Sequence, residues 1–328
     1  MSTPKPLIVR VRNWVGDVIL GLPGLELLQA RGYQLHLVAR GKWAPSLLAG
    51  YGWPVHVQPA GLRAKVAQLR QMRRDLAAQD PGFTRRENAF LLPVSFSAAL
   101  EMKLAGLKAV GVAKEGRSLL LARAEPWVTE GHELERYWDI ACRFVRYSGP
   151  APRDIGFRVQ PEHAAEAERL LAATGVTGRF VVICPFAGGK AATADKADKK
   201  WPGFQAFTQR AESELGLPLV VYPGPGEHAA ARALYPQARM IDGSNLAVYS
   251  ALLQRAALVV ANDTGPGHMA AALGRPLISL LGPTDPARWA PWGRTVTVLH
   301  RPPRQGQTVW PSADEALVLA RQMLASGG

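Results

Sequence analysis

A strand-length apolar run that passes within a few residues into an apolar helix recurs in each half of this chain, and that recurrence restricts the fold more than any other feature. Leu7–Arg12 leads through Asn13-Trp14-Val15-Gly16-Asp17 into a helix-length segment ending at Ala30. Ala257–Ala261 leads through Asn262-Asp263-Thr264-Gly265-Pro266-Gly267-His268 into the small-residue run Met269–Ala272. Short β-rich runs alternating with helix-length amphipathic segments are the signature of an α/β protein. In the front half, strands are expected at Leu7–Arg12, Gln34–Ala39, Val55–Gln58 and Phe90–Val94, with helices at Asp17–Ala30, Leu62–Ala78 and His132–Val145. Several strands lack polar alternation, as strands buried on both faces do.

The stretch Ser148–Pro161 carries glycine and three prolines with no helical period, so it reads as a linker. Behind it the pattern restarts with helices at Pro161–Ala173, Pro202–Leu215, Gly226–Leu234, Asn245–Arg255 and Gly267–Leu273, and strands at Phe180–Cys184, Leu219–Tyr222, Ala257–Ala261 and Leu277–Leu281. Two halves of similar size follow, as 328 residues would suggest. The end, Pro311–Ser326, opens with Ser312 and Glu315 at capping-box spacing and runs on apolar, which predicts a last helix.

Hydrophobic residues make up 48% and charged residues 20%, and no run approaches the roughly 18 apolar residues of a membrane-spanning helix. The N-terminus starts on a strand-like run in place of the pattern of a signal peptide, so a cytoplasmic protein is expected. Cys142 and Cys184 are the only cysteines, too few for a disulfide framework, and both fit packed apolar positions. The net charge is +13, of which residues 1–150 carry +9 and residues 151–328 carry +4. Such an excess attracts nucleic acid, acidic headgroups or phosphorylated substrates without choosing among them.

Five constellations offer chemistry. Asp17 follows a strand end, where ligands bind in open α/β sheets, and suits a general base; a helix cap or first-turn acid is the competing reading. The turn lacks G-x-G-x-x-G, which disfavours a dinucleotide-binding dehydrogenase. The Asp263-Thr264-Gly265 turn before His268 suits a diphosphate, because amides at a helix N-terminus favour anions; a capped turn with a core histidine would look the same. Lys190, Lys196, Lys199 and Lys200 lie between Pro185 and Trp201, a spacing suited to neutralising a leaving diphosphate or to a solvated loop. Glu227, after Gly224-Pro225-Gly226, can accept from a ribose diol or simply open a helix. Finally, Leu62, Val66, Leu69 and Leu76 form a helical stripe flanked by Arg63, Lys65, Arg70, Arg73 and Arg74, with Arg85 and Arg86 nearby. This pattern fits a phosphorylated glycolipid or a membrane surface, or only a solvated face. No G-x-x-x-x-G-K-[ST], H-E-x-x-H, G-x-S-x-G or Asp-x-Asp occurs, so lysines and helix dipoles are the expected charge neutralisers.

In chain order, Gly16-Asp17 with Leu22-Pro23, Lys199-Lys200-Trp201-Pro202 after Pro185, Asn262-Asp263-Thr264-Gly265 with His268, Gly274-Arg275-Pro276 and Gly282-Pro283-Thr284-Asp285-Pro286 resemble the lipopolysaccharide heptosyltransferases of glycosyltransferase family 9. The resemblance implies an α/β fold of the GT-B class, with two Rossmann-like domains facing across a cleft. The domains would be an acceptor domain over 1–155, a donor domain over 156–310 and a helix over 311–328 returning to the first domain. It also implies inverting, metal-independent transfer of heptose from ADP-heptose to a lipid A-linked acceptor, with no cofactor besides that donor. Asp17 is then the base, and Lys199 or Lys200, Asp263, Thr264, Gly265 and His268 belong to the donor site, with Glu227 at the ribose. Arg63, Arg70, Arg73 and Arg74 are assigned to the acceptor, and contact with the inner face of the cytoplasmic membrane is expected, with no nucleic-acid partner. The loop from Pro185 to Trp201 is longer than the family pattern, which leaves the phosphate lysine open among Lys190, Lys199 and Lys200. Two rivals are a GT-B enzyme with another nucleotide sugar or a protein acceptor, and a basic nucleic-acid-binding protein, for which no binding signature is present.

Overall fold

A computed structural model describes residues 4–188, 199–243 and 245–326. The chain divides into two compact units, Met1–Pro152 and Arg153–Gly328. In the first, β1 (Lys5–Arg10), α1 (Val15–Ala30), β2 (Tyr33–Ala39), α2 (Ala44–Leu47), β3 (Val55–Val57), α3 (Leu62–Gln79), β4 (Ala89–Leu91), α4 (Phe96–Leu104), β5 (Ala109–Val112), β6 (Arg123–Glu125) and α5 (Glu133–Val145) follow one another. Their six strands are parallel in the order β3-β2-β1-β4-β5-β6. Strand order therefore reverses between β1 and β4, and the crevice at the carboxyl ends of such a pair is where doubly wound sheets bind ligands. Asp17 lies two residues into the helix that leaves β1, at this switch point.

The second unit contains α6 (Pro161–Ala173), β7 (Val181–Cys184), α7 (Phe204–Leu215), β8 (Leu219–Val221), α8 (His228–Leu234), β9 (Arg239–Met240), α9 (Leu246–Arg255), β10 (Leu258–Asn262), α10 (Gly265–Ala272), β11 (Leu277–Leu281), α11 (Pro286–Trp289), β12 (Val296–Arg304), β13 (Gln307–Val309) and α12 (Ala313–Ser326). The sheet runs β13-β12-β11-β10-β7-β8-β9, parallel except for the β12–β13 hairpin. Here the order reverses between β7 and β10. The loop from Pro185 leaves β7 and the Asp263 turn leaves β10, so topology alone brings these two segments to one switch point.

Central strands are apolar on both faces and fully buried, among them Leu7, Ile8 and Val9 in β1 and Val181 to Ile183 in β7. The segment Arg153–Phe157 belongs to the second unit, where the Phe157 amide donates to the Ala272 carbonyl at 2.9 Å and Arg294 Nε to Asp154 Oδ2 at 2.6 Å. Within the second unit, the last helix packs on the core: Ala316, Leu317 and Ala320 lie there with Phe204 and Phe207 of α7. Each such aromatic, once buried, contributes about 2–3 kcal/mol. Its entry is held by the predicted capping box: Glu315 N donates to Ser312 Oγ at 3.2 Å and Ser312 N to Glu315 Oε2 at 2.8 Å.

Both cysteines are buried and free, and burial pushes the Cys184 thiol up to about 12. Among the described residues, no helix is long and apolar enough to cross a membrane.

Candidate active site

In the first unit, Trp14 and not Asp17 occupies the cap position of α1, and it makes no side-chain capping bond. Asp17 stands in the first turn, where a carboxylate gains from the helix dipole. It is 8% exposed, and one of its oxygens, Oδ1, accepts from Arg12 Nε at 3.1 Å and from the Tyr137 hydroxyl at 2.7 Å. Among the described residues, Oδ2 accepts nothing. Burial works against the Arg12 cation, but Tyr137 and Asp17 beside it hold its pKa above the ordinary arginine value. Burial, then the Asp17 charge, pushes the Tyr137 phenol well above its ordinary pKa, so this hydroxyl is a donor. Neither partner was assigned a role from sequence. Tyr137 lies 120 residues from Asp17, and only the packing of α5 on α1 brings them together.

In the second unit, Lys199 Nζ stands 2.6 Å from Asp263 Oδ2, which also accepts from Thr284 Oγ1 at 2.6 Å. Asn262, fully buried at the end of β10, donates from Nδ2 to the Pro185 carbonyl at 2.6 Å and accepts the Trp201 amide at 2.9 Å. One side chain thus fastens both ends of the lysine-bearing loop beside the Asp263 turn. Lys200 is exposed, whereas Lys190 and Lys196 lie outside the described residues.

Thr264 is the cap position of α10 but its side chain accepts none of the first-turn amides. Pro266 has no N–H, and the Gly267 and His268 amides donate to the Thr264 carbonyl at 3.1 and 3.4 Å, so among the described residues the Gly265 N–H is the one left at the helix end for a ligand. Gly265 begins that helix and His268 is buried in its first turn. Glu227 precedes α8 and uses Oε2 to accept the Gly224 amide at 2.8 Å, closing the turn after β8 and leaving its other oxygen outside that bond. Among the described residues, no group of three His, Cys, Asp or Glu side chains is placed to hold a metal ion.

The four arginines on α3 are not equivalent. Helices leave the carboxyl edge of the sheet, so Arg63 in the first turn lies at the ligand-binding edge, while Arg74 is about 16 Å farther along the axis at 1.5 Å per residue. Arg70 donates to the Leu104 carbonyl at 2.9 Å and so caps α4, Arg73 packs near Gly106, and Arg74 donates to Gln71. Val66, Leu69 and Leu76 are buried as expected, but Leu62 is exposed and Met72 takes its place in the stripe. Lys65 pairs with buried Glu101 at 2.9 Å.

A family model described as glycosyltransferase family 9 (heptosyltransferase) matches residues 85–309. Lipopolysaccharide heptosyltransferase 3 of Escherichia coli K12 is 30% identical over 138 residues, 39% of this chain; the matched part spans only 38% of that relative's length. The solved structure of E. coli ADP-heptose lipopolysaccharide heptosyltransferase II is 22% identical, with a TM-score of 0.78 over 98% of this chain and 99% of that one. An E. coli heptosyltransferase solved with ADP-2-deoxy-2-fluoro heptose is 21% identical, with a TM-score of 0.68 over 97% and 99%. These likenesses extend over both doubly wound units and match the expected GT-B class of fold. With the family model spanning more than half its length, including the Lys199 and Asp263 segments, the chain belongs to glycosyltransferase family 9, the heptosyltransferases.

Proposed function

We propose that this enzyme transfers heptose from ADP-heptose to the inner core of a lipid A-linked acceptor by a single inverting displacement. The observation that carries the reading is the pairing of Lys199 with Asp263 beside the N-terminus of α10, where the Gly265 N–H faces the second unit's switch point. The solved relative that binds an ADP-heptose analogue supports a nucleotide-heptose as the donor for that site.

The acceptor hydroxyl oxygen bonds to the anomeric carbon as the bond from that carbon to the diphosphate oxygen breaks, and ADP departs with the electron pair. Asp17 receives the hydroxyl proton through Oδ2, the oxygen that Arg12 and Tyr137 do not bond. Lys199 and the amides of the Thr264–Gly265 turn meet the charge developing on the diphosphate, a role that requires no metal ion. His268 shapes the same helix end, and Glu227 offers its second oxygen to the ribose. Lys200 is exposed and serves as a lesser, outer charge.

The basic first unit holds acceptor phosphates, chiefly through Arg63, with Arg70, Arg73 and Arg74 contributing a wider positive face. Exposed Leu62 beside Arg63 suits peripheral contact with an anionic inner membrane surface from the cytoplasmic side. Incubation with ADP-heptose and truncated lipopolysaccharide acceptors, followed by mass analysis, is expected to show addition of one heptose. Asp17→Asn is expected to retain donor binding and lose transfer; near-normal turnover by that variant removes Asp17 from the mechanism.

A further inference from the structure

We propose that Tyr137 is a positioning residue for the base: its hydroxyl, with Arg12, occupies Asp17 Oδ1 and thereby presents Oδ2 to the acceptor. The inference rests on Asp17 serving as the base. Two donors converge on one carboxylate oxygen, at 2.7 Å from the phenol and 3.1 Å from the guanidinium, and among the described residues none reaches the other. A carboxylate held by one edge cannot rotate freely, so its remaining lone pairs keep one direction, which is what an oriented general base requires.

The placement of Tyr137 is supported from several sides. Gly24 of α1 faces the Tyr137 backbone so closely that a Cβ there would lie 3.1 Å from its carbonyl oxygen and 3.2 Å from Ala141 Cβ, and this close approach sets α5 against α1. The N-terminus of α5 is fixed by a capping box in which His132 and Glu135 bond reciprocally. The charged groups around the site are Arg12 from the β1–α1 loop and Glu133 from α5, with Glu133 paired to Arg136 and Arg136 lying over the Trp127 ring. Tyr137 keeps its proton throughout; the acceptor's proton goes to Oδ2. A donor aimed at the ionised carboxylate favours that form over the protonated one.

The test is steady-state kinetics of the full chain with ADP-heptose and a truncated lipopolysaccharide acceptor, across pH, beside Asp17→Asn. Tyr137→Phe is expected to lower kcat on the order of 10- to 100-fold, the loss typical of a hydrogen bond to a charged group. It should leave the donor KM within about twofold and move the acidic limb of the kcat profile to higher pH. Incorporating 3-fluorotyrosine at 137 keeps the ring's shape and strengthens the donor, so the limb should move to lower pH even if Tyr137→Phe folds poorly. An acidic limb unmoved in both proteins, with Asp17→Asn inactive, overturns the positioning role and leaves the base assignment standing. Near-normal turnover by Asp17→Asn overturns the base assignment itself.

Discussion

Lys199 and Asp263, separated by 64 positions in the chain, form an ion pair of 2.6 Å at the point where the second sheet reverses its strand order. Asp263 is mostly buried, and its Oδ2 is shared between the ammonium and the Thr284 hydroxyl. A diphosphate entering there meets a cation already held in place, so little ordering is left to be done on binding. Lys199→Met is therefore expected to reduce kcat/KM for the donor by about 10²-fold, as loss of an oxyanion-type donor does, and Lys200→Met by no more than about threefold. Kinetics with varied ADP-heptose check this; equal losses for the two variants would contradict it.

Asn262 carries a structural as well as a positional load. Replacing it by Ala leaves the Pro185 carbonyl and the Trp201 amide without their buried partner, at roughly 1–3 kcal/mol for each group. Trp201 is two residues from Lys199, so the donor KM should rise along with the loss of stability. Urea unfolding and donor kinetics on Asn262→Ala should show both effects; a stability loss with unchanged donor KM would separate the clasp from the site.

The close fit of α1 on α5 gives a third expectation. Gly24→Ala places a methyl group 3.1 Å from the Tyr137 carbonyl, and overpacking of this kind costs about 1–3 kcal/mol. Movement of α5 to relieve it also moves Tyr137 away from Asp17. A lowered Tm accompanied by a lowered kcat is the expected result, measured by calorimetry and by transfer assays on the same preparation.

The arginines of α3 should separate in acceptor kinetics. Arg63→Glu at the carboxyl edge of the sheet should raise the acceptor KM at least about tenfold, whereas Arg74→Glu, about 16 Å away, should change it by less than about threefold. Both effects should weaken as salt is raised toward about 1 M, where the screening length falls to about 3 Å.

A stacked histidine pair sets a pH dependence of folding. His36 and His56, on paired strands β2 and β3, have ring centroids 6.1 Å apart, and burial lowers the pKa of each; His56 lowers that of His36 further. The unfolded chain, with ordinary histidines near pH 6.5, then binds protons that the folded protein resists. Their contribution to stability is present above about pH 6.5 and is lost as the pH falls below it. Partly buried carboxylates with lowered pKa, such as Asp80 hydrogen-bonded to Arg86, lose theirs only in a more acidic range. Denaturant midpoints between about pH 7 and pH 5 should decline in the wild type and flatten in His36→Gln/His56→Gln.

Much of the fold was written locally. Apolar runs marked β1, β2, β7, β10 and β11 and amphipathic or apolar spans marked α1, α3, α5, α6, α7 and α9, because burial on one or both faces leaves a period in the residues. The missed elements lack that mark. The strand β6 is Arg-Ala-Glu at a sheet edge, β5 is four residues with a glycine, and α4 is short. The run β12 contains two prolines, tolerated because its outer part pairs only with the β13 hairpin across an irregular register.

Asp17 and the Asp263-Thr264-Gly265 turn were legible for the same reason: each follows a strand that its own residues define, and such ends are where α/β sheets bind. The choice of Lys199 beside Asp263, the clasp by Asn262 and the docking of α12 on its own unit were decided by tertiary structure. So were the convergence of Arg12 and Tyr137 on one oxygen of Asp17 and the separation of Arg63 from its neighbours on α3. Local sequence sets backbone conformation and the side that is buried, through interactions that act within a few residues. Contacts across 64 or 120 positions depend on which elements pack together, and no local period records that.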